Sequence, residues 1–545
     1  MNNEKPDQND AQAITNLGYN STLLQNLINQ RHTPDILDCI ANLSNDEVFT
    51  PPELANKVLD LLPEEVWHNK SLKWLDPACK TGIFLRQIAV RLMEGLRDEF
   101  PDEEERRHHI FQNMLYGIAI TNLTALMSRR SLYTSKDASG EKSIAGFANK
   151  NGNVSYDNRP HTYKNGSCIF CGNSENSELD RDETLERHAY NFIHLTPEEA
   201  QNMKFDVIVG NPPYQLSDGG HGASASPIYQ LFVRQAKKLK PKYLAFIIPS
   251  RWFSGGKGLD DFRDEMMHDH SIKTLVDYPN SADCFPGVQI MGGVCYFVRQ
   301  NDYNGRCDYS IISEDKVISH SERFLDDGNA GIIVRYPEMI TVLNKVRQKK
   351  ENTFDTLIST QKPYGLRTDF FRDPKKYGFP NVYKTKDEVS GAAISIYGLE
   401  NGKRVERYVP LGYPFAVGRE TITKWKIFIP NAYGCNAIGE NNTSTPVLST
   451  PILGGSLTAC TETFLRIGSW DNEDEANNAL GYLKTKFFRF LVGIKKTTQH
   501  TSKDTYSLVP LLDFTEEWTD EKLYRRYNLS QEEINFIEKN IKEMK

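Results

Sequence analysis

The sequence predicts an α/β fold class: a doubly wound, mainly parallel sheet with helices on both faces, then a C-terminal region of mixed α+β character. Three observations carry this. Branched apolar runs such as "FDVIVG" (205–210) and "YLAFIIPS" (243–250) read as strands buried on both faces. Such runs alternate with amphipathic stretches of helical period between about residues 71 and 300. From about 350 the alternation stops, and short apolar runs are broken by Gly, Pro and Asn. A chain of 545 residues is also too long for one core, so more than one domain is expected.

Residues 1–45 read as a polar leader with short helices, and 46–345 as the α/β domain. "EVFTPPELANKVLDLLP" (47–63) has a Thr-Pro-Pro-Glu helix start, because proline fits a first turn and an acid there suits the helix dipole. "SLKWLDPACKTGIFLRQIAVRLMEGL" (71–96) reads as strand, tight turn and helix. "MLYGIAITNLTALMSRRSLY" (114–133) repeats that pattern. Residues 134–200 break it as an insertion rich in Asn, Gly, Ser and charge. It resumes with "FDVIVG", the helix "IYQLFVRQAKKLKP", the strand "YLAFIIPS" and the helix "GLDDFRDEMMHD". "IKTLVDYP" and "GGVCYFVRQ" complete the strands. Residues 346–545 form the second domain, ending in a helical tail.

The formal net charge of −7 argues against a protein that coats nucleic acid by bulk charge. It leaves room for a local basic cleft, since attraction depends on where charges lie. No apolar run approaches the roughly 20 residues that span a bilayer, so no membrane partner is expected. The opening "MNNEKPDQNDAQ" is unlike a signal peptide. Nine cysteines without a regular framework suit a reducing, cytoplasmic setting.

In a doubly wound sheet, ligands bind at the carboxyl ends of the strands. Asp76 closes the first strand, and Thr81 and Gly82 make the turn into the helix. A glycine there lets a ligand approach the backbone. The strand "FDVIVG" runs into Asn211-Pro212-Pro213-Tyr214, where two prolines stiffen a loop bearing an amide and a ring.

Three stretches in this order, "FTPPE" (49–53), "DPACKTGIFLR" (76–86) and "NPPY" (211–214), resemble the adenine-specific DNA methyltransferases. More narrowly they resemble the gamma class of restriction–modification systems. The resemblance implies a Rossmann-like fold dependent on S-adenosylmethionine (S-adenosyl-L-methionine), with a target-recognition, DNA-binding domain over 346–545. It implies methyl transfer to the N6 amino group of a flipped adenine in double-stranded DNA, as the modification component of a restriction–modification or phage-defence system. Residue by residue, Thr50 and Pro51 would line the methionine end of the cofactor. Asp76, Ala78 and Gly82 would form the loop around its amino-acid part, and Asp206 would sit near its adenine. Asn211 and the carbonyl of Pro212 would accept hydrogen bonds from the target amino group. Tyr214 and Phe285, the latter from "CFPGVQ" (284–289), would stack on the extruded base.

Two departures stand out. Lys80 occupies the usual place of the loop's first glycine. No carboxylate ends the second strand, where "YGIAIT" offers Ala119 and Thr121, so the ribose partner stays open. No nuclease or helicase motif is evident, so a restriction endonuclease or helicase would be a partner protein. The rival readings are a methyltransferase for cytosine N4, RNA or protein glutamine, and a non-catalytic DNA-recognition subunit that keeps the fold.

The insertion holds Cys168-x-x-Cys171 followed by glycine, like a zinc knuckle. His161 and His188 are candidates to complete a structural zinc site, with His194 as a rival. In "STQKPYGLRTDFF" (359–371), Lys362, Tyr364, Arg367 and Phe371 suit contacts to DNA. Lys484, Lys486, Arg489, Lys495 and Lys496 are candidates to follow its backbone.

Overall fold

The computed structural model describes residues 48–176, 189–215, 226–433, 447–496 and 500–544. Its centre is a nine-stranded sheet in the order β11-β10-β8-β9-β7-β6-β1-β2-β3. The strands are β1 (Trp74–Cys79), β2 (Leu115–Ala119), β3 (Val154–Ser155), β6 (Val207–Gly210), β7 (Tyr243–Pro249), β8 (Ile272–Tyr278), β9 (Val294–Gln300), β10 (Cys307–Ser313) and β11 (Lys316–Arg323). A small hairpin, β4 (Tyr163–Lys164) with β5 (Ser167–Cys168), stands apart in the insertion.

β3, β2, β1, β6 and β7 pair in parallel. β9 is reversed and lies between β7 and β8. β10 is parallel to β8, and β11 returns antiparallel at the edge. The sheet is therefore mostly parallel but mixed, and β3, β10 and β11 extend it beyond the expected strands. β1, β6 and β7 are buried along their whole length, which is why their sequences show no polar alternation.

Helices cover both faces: α1 (Pro52–Leu59), α2 (Ile83–Gly95), α3 (Glu103–His109), α4 (Asn122–Tyr133), α5 (Pro197–Asn202), α6 (Tyr229–Lys238), α7 (Asp260–Met267) and α8 (Pro337–Gln348). α1 starts with proline in its first turn and Glu53 beside it. Thr121 caps α4, exchanging hydrogen bonds with Thr124 in a capping box. One apolar core fills the α1–α2–α4 face. A second runs from the opposite face, around α6 and α7, into the C-terminal helices.

The C-terminal part has two three-stranded sheets. One joins β12 (Ala393–Glu400), β13 (Lys403–Pro410) and β16 (Thr458–Cys460). The other joins β14 (Trp425–Pro430), β15 (Ile452–Gly454) and β17 (Phe464–Trp470). The β12–β13 hairpin turns on Asn401 and Gly402, both at positive φ, as a two-residue turn demands. The tail comprises α9 (Glu473–Lys484), α10 (Lys486–Lys495), α11 (Asp520–Arg526) and α12 (Gln531–Asn540). α12 packs against α8. The boundary expected at 345–346 thus falls inside α8, a helix that already belongs to the contact with the tail. Among the described residues no helix is long and apolar enough to cross a membrane.

Candidate active site

The chain order reverses at β1: β2 and β3 lie to one side of it, β6 and β7 to the other. A crevice opens beyond the carboxyl ends of the strands at such a switch point. The backbone there is drawn close. A Cβ added to Gly210 would lie 2.8 Å from Asp76 Oδ1. Gly82 has φ +74°, and a Cβ there would meet the backbone of Ser128 in α4 at 3.0 Å. Only glycine fits both needs at Gly82.

Asp76 is buried, and its Oδ1 accepts a hydrogen bond from the Ala78 N–H at 3.1 Å. Burial raises its pKa to about 7, against the opposing pull of that N–H and of Lys80. A carboxylate so deprived of water is prepared for a cationic partner. Lys80, the apparent misfit, folds into the site and donates to the Val48 carbonyl at 3.0 Å. It ties the 48–50 segment to the β1 loop.

Asn211 completes the arrangement from β6. Its Nδ2 donates to the Val48 carbonyl and to Thr50 Oγ1, each at 3.1 Å. A carbonyl can only accept, so the NH₂ end of the amide must face Val48. Oδ1 then points the other way, buried and without a hydrogen-bond partner. A buried acceptor left unpaired is costly, and such atoms mark places where a ligand completes the bonding.

Pro212, Pro213 and Tyr214 continue the buried loop. The Tyr214 carbonyl accepts from the Ile228 N–H at 3.1 Å, closing the loop onto the start of α6. Burial pushes the Tyr214 hydroxyl well above its usual pKa, with Cys284 as the next contributor. Phe285, beside Cys284, lies in the same apolar cluster as Tyr214. Its turn is held by Ser281, whose Oγ donates to the Val288 carbonyl and accepts from the Ile290 N–H, each at 2.8 Å. Both rings are closed in, Tyr214 at 4% exposure and Phe285 at 2%.

Thr50, Asp76, Ala78, Gly82, Asn211 and Tyr214 thus converge, with Pro51 capping α1 beside them. Asp206 does not join them. It lies before β6, where its Oδ2 accepts from the Lys73 N–H at 2.8 Å ahead of β1. That is the amino edge of the sheet, roughly 13 Å from the loop at about 3.3 Å per strand residue. Thr121 is already engaged, because its Oγ1 accepts the Thr124 N–H as a helix cap. Tyr156 and Asp157 follow β3 and so emerge at the carboxyl edge beside the loop after β2.

His161, Cys168 and Cys171 come together in the insertion, joined by His194. His188 lies outside the described residues.

The basic residues expected to track DNA have mostly other duties. Arg489 is 1% exposed and donates to the carbonyls of Lys484, Thr485 and Lys542. Lys496 is buried and donates to the Tyr433 carbonyl at 2.6 Å. Lys486 pairs with Glu538 and Glu543, and Lys495 with Asp504. Of this run only Lys484 faces solvent. In the 359–371 loop Tyr364 is buried against Thr421, Phe371 packs on a core, and Arg367 is exposed.

The architecture is that of an α/β enzyme with its polar groups gathered over the carboxyl edge of the sheet, at a switch point. Residues 113–285 match the family described as Eco57I restriction-modification methylase. A relative from Mycoplasma pneumoniae, an adenine-specific methylase by its name, is 43% identical over 320 residues, which is 53% of this chain and 75% of the relative. This chain belongs to the adenine-specific methylases of restriction–modification systems. Similar solved structures include the DrdV–DNA complex (12% identity, TM-score 0.48, 86% of this chain and 56% of that one). Another is a nuclease-deletion mutant of the Type ISP enzyme LlaGI with a DNA substrate mimic (13% identity, TM-score 0.45, 85% and 46%). The chain spans about half the length of these two structures.

Proposed function

We propose that this chain methylates the N6 amino group of a specific adenine in double-stranded DNA, with S-adenosylmethionine as donor. The carrying observation is Asn211, anchored through its nitrogen and presenting an unpaired oxygen at the switch point. The strand order, with β9 reversed between β7 and β8, supports a Rossmann-like methyltransferase fold.

The cofactor supplies an electrophilic methyl group on sulfur. The chain's own residues do the rest. Asp76 suits the ammonium of the cofactor's amino-acid part, since a buried carboxylate gains most from a cationic partner. Gly210 keeps a side chain away from Asp76, and Gly82 lets the turn pack closely on α4. Asn211 Oδ1 and the Pro212 carbonyl accept the two N–H groups of adenine N6. As the amine attacks, positive charge grows on nitrogen and those hydrogen bonds strengthen, so the transition state gains more than the ground state. The proton leaves to water after transfer. Alignment of nitrogen with the methyl group supplies much of the remainder.

Tyr214 and Phe285 would receive the base. Extrusion costs about a few kcal/mol, and stacking on one ring returns roughly 1–3 kcal/mol. Because both rings are closed in, the 211–215 loop and the 281–288 turn must part to admit the base. Residues 346–545 would read the target sequence, and a nuclease or helicase partner would supply cleavage, with action on cytoplasmic DNA.

The test is incubation of purified chain with methyl-labelled cofactor and unmethylated DNA, followed by digestion to nucleosides. Label in N6-methyladenine is expected. Label in N4-methylcytosine, or none in DNA, overturns the reading.

A further inference from the structure

Four side chains outside the methylation site make a set with metal-ligand chemistry. Cys168 Sγ lies 3.5 Å from His194 Nε2, and Cys171 Sγ lies 3.3 Å from His161 Nδ1. All four ligand atoms fall within 4.8 Å of one another. A tetrahedral zinc ion with sulfur at about 2.3 Å and nitrogen at about 2.05 Å spaces its ligand atoms about 3.3–3.8 Å apart. Both of these sulfur–nitrogen contacts already have that spacing.

The surroundings fit the same purpose. The tautomer of His194 is set by its other nitrogen, Nδ1, which donates to the Tyr190 carbonyl at 2.9 Å. Nε2 therefore turns a lone pair toward Cys168, the orientation that second-shell bonds give to metal-binding histidines. The two cysteines sit on a knuckle. The Gly172 N–H donates to the Cys168 carbonyl at 2.9 Å, the Cys168 N–H donates to the Asn173 carbonyl at 2.8 Å, and Gly172 takes φ +75° to close the turn. His161, Cys168 and His194 are buried, and the ring of Phe170 lies against His194. Mixed thiolate and imidazole donors in a tetrahedral set select zinc among abundant divalent metals.

We propose that His161, Cys168, Cys171 and His194 bind one structural zinc ion that fastens the Cys168–Cys171 knuckle and the His161 segment to the 191–194 turn near the end of the insertion. His194 lies in the 191–194 turn. The neighbouring Phe192 stacks on Phe232 of α6 and Tyr190 lies tilted against it, with ring centroids 5.9 and 5.8 Å away. The Arg159 guanidinium, from the insertion, pairs with Glu199 and donates to the His194 carbonyl at 3.3 Å. The metal thereby joins three segments of the insertion, the last of which packs on α6. Both thiols lose their protons to solvent on binding.

The site stands or falls apart from methylation, because its readout is metal content. Full-length chain, purified without chelator and with any affinity tag removed, is analysed for metal by mass spectrometry. One zinc per chain is expected. Cys168→Ser, Cys171→Ser, His161→Ala and His194→Ala should each lose it, while His188→Ala keeps it. Where a variant fails to fold, wild-type protein is stripped and titrated with cobalt(II), which should give a thiolate-to-cobalt charge-transfer band at one equivalent. Wild-type protein without zinc and without that band overturns the proposal. So does metal that survives loss of His194 but not of His188.

Discussion

Asn211 shows how one residue can be both scaffold and reagent. Its nitrogen joins two segments more than 160 positions apart in sequence, 161 from Thr50 and 163 from Val48, while its oxygen has no hydrogen-bond partner, and the proposed function gives that oxygen to the substrate. Asn211→Ala should lower kcat by about 100- to 1,000-fold, the scale of losing one preorganised group, with cofactor affinity much less affected. Steady-state kinetics with calorimetry would separate the two. Asp76 gives a pH prediction. Its pKa is raised to about 7, so the free site is largely protonated below that and must ionise to hold an ammonium group. Cofactor binding should therefore weaken as pH falls below about 7, approaching a tenfold loss of affinity per pH unit. It should level off above that point. Calorimetry from acid to neutral pH should show this slope in the wild type and a flat, weaker profile in Asp76→Asn.

At the scale of elements, the loop after β6 and the turn after β8 are distant in sequence, and β7 and β9 lie between their strands; they share an apolar cluster because both strands end at the carboxyl edge of the sheet. Tyr214 and Phe285 share a cluster with residues of α1 and β9, so the closed state is a piece of core. Tyr214→Ala should weaken methylation of duplex DNA by about 10- to 100-fold, matching a stacking loss of about 1–3 kcal/mol. A mismatch opposite the target adenine should return part of that, since the base then leaves the stack more easily. Kinetics on paired and mismatched duplexes would check it. α10 carries a second lesson. Its charges looked like a DNA track, yet Arg489 closes carbonyls at helix ends and in the tail. Arg489→Met should cost about 2–4 kcal/mol of stability by stranding those carbonyls. It should leave the salt dependence of DNA binding unchanged. Thermal unfolding and binding titrations at several salt concentrations distinguish the outcomes.

Across the whole molecule, one apolar core runs from β1 and β7 through α8 to α12. The catalytic part and the tail therefore share buried surface, and a continuous core implies coupled unfolding. Scanning calorimetry should show the sheet and helical tail melting together. A clear separate transition for the sheet alone would contradict this coupling.

What the sequence by itself determined is local. Runs of branched apolar residues marked β6 and β7 because strands buried on both faces need no polar alternation. Thr-Pro-Pro-Glu set the start of α1, and "DPACKTG" and "NPPY" marked two strand-end loops through their resemblance to methyltransferase motifs. The tertiary structure decided everything that depends on which ends meet. Asp206 borders an apolar strand like Asn211, but at the wrong edge, and only the pairing with Lys73 reveals it. Lys80 reads as a lost glycine until its ammonium is seen on the Val48 carbonyl. The burial of Arg489 and the burial of His194 beside Cys168 are invisible to composition for the same reason. A side chain's charge and shape are written in the chain, but its partner is chosen by contacts between segments far apart in sequence.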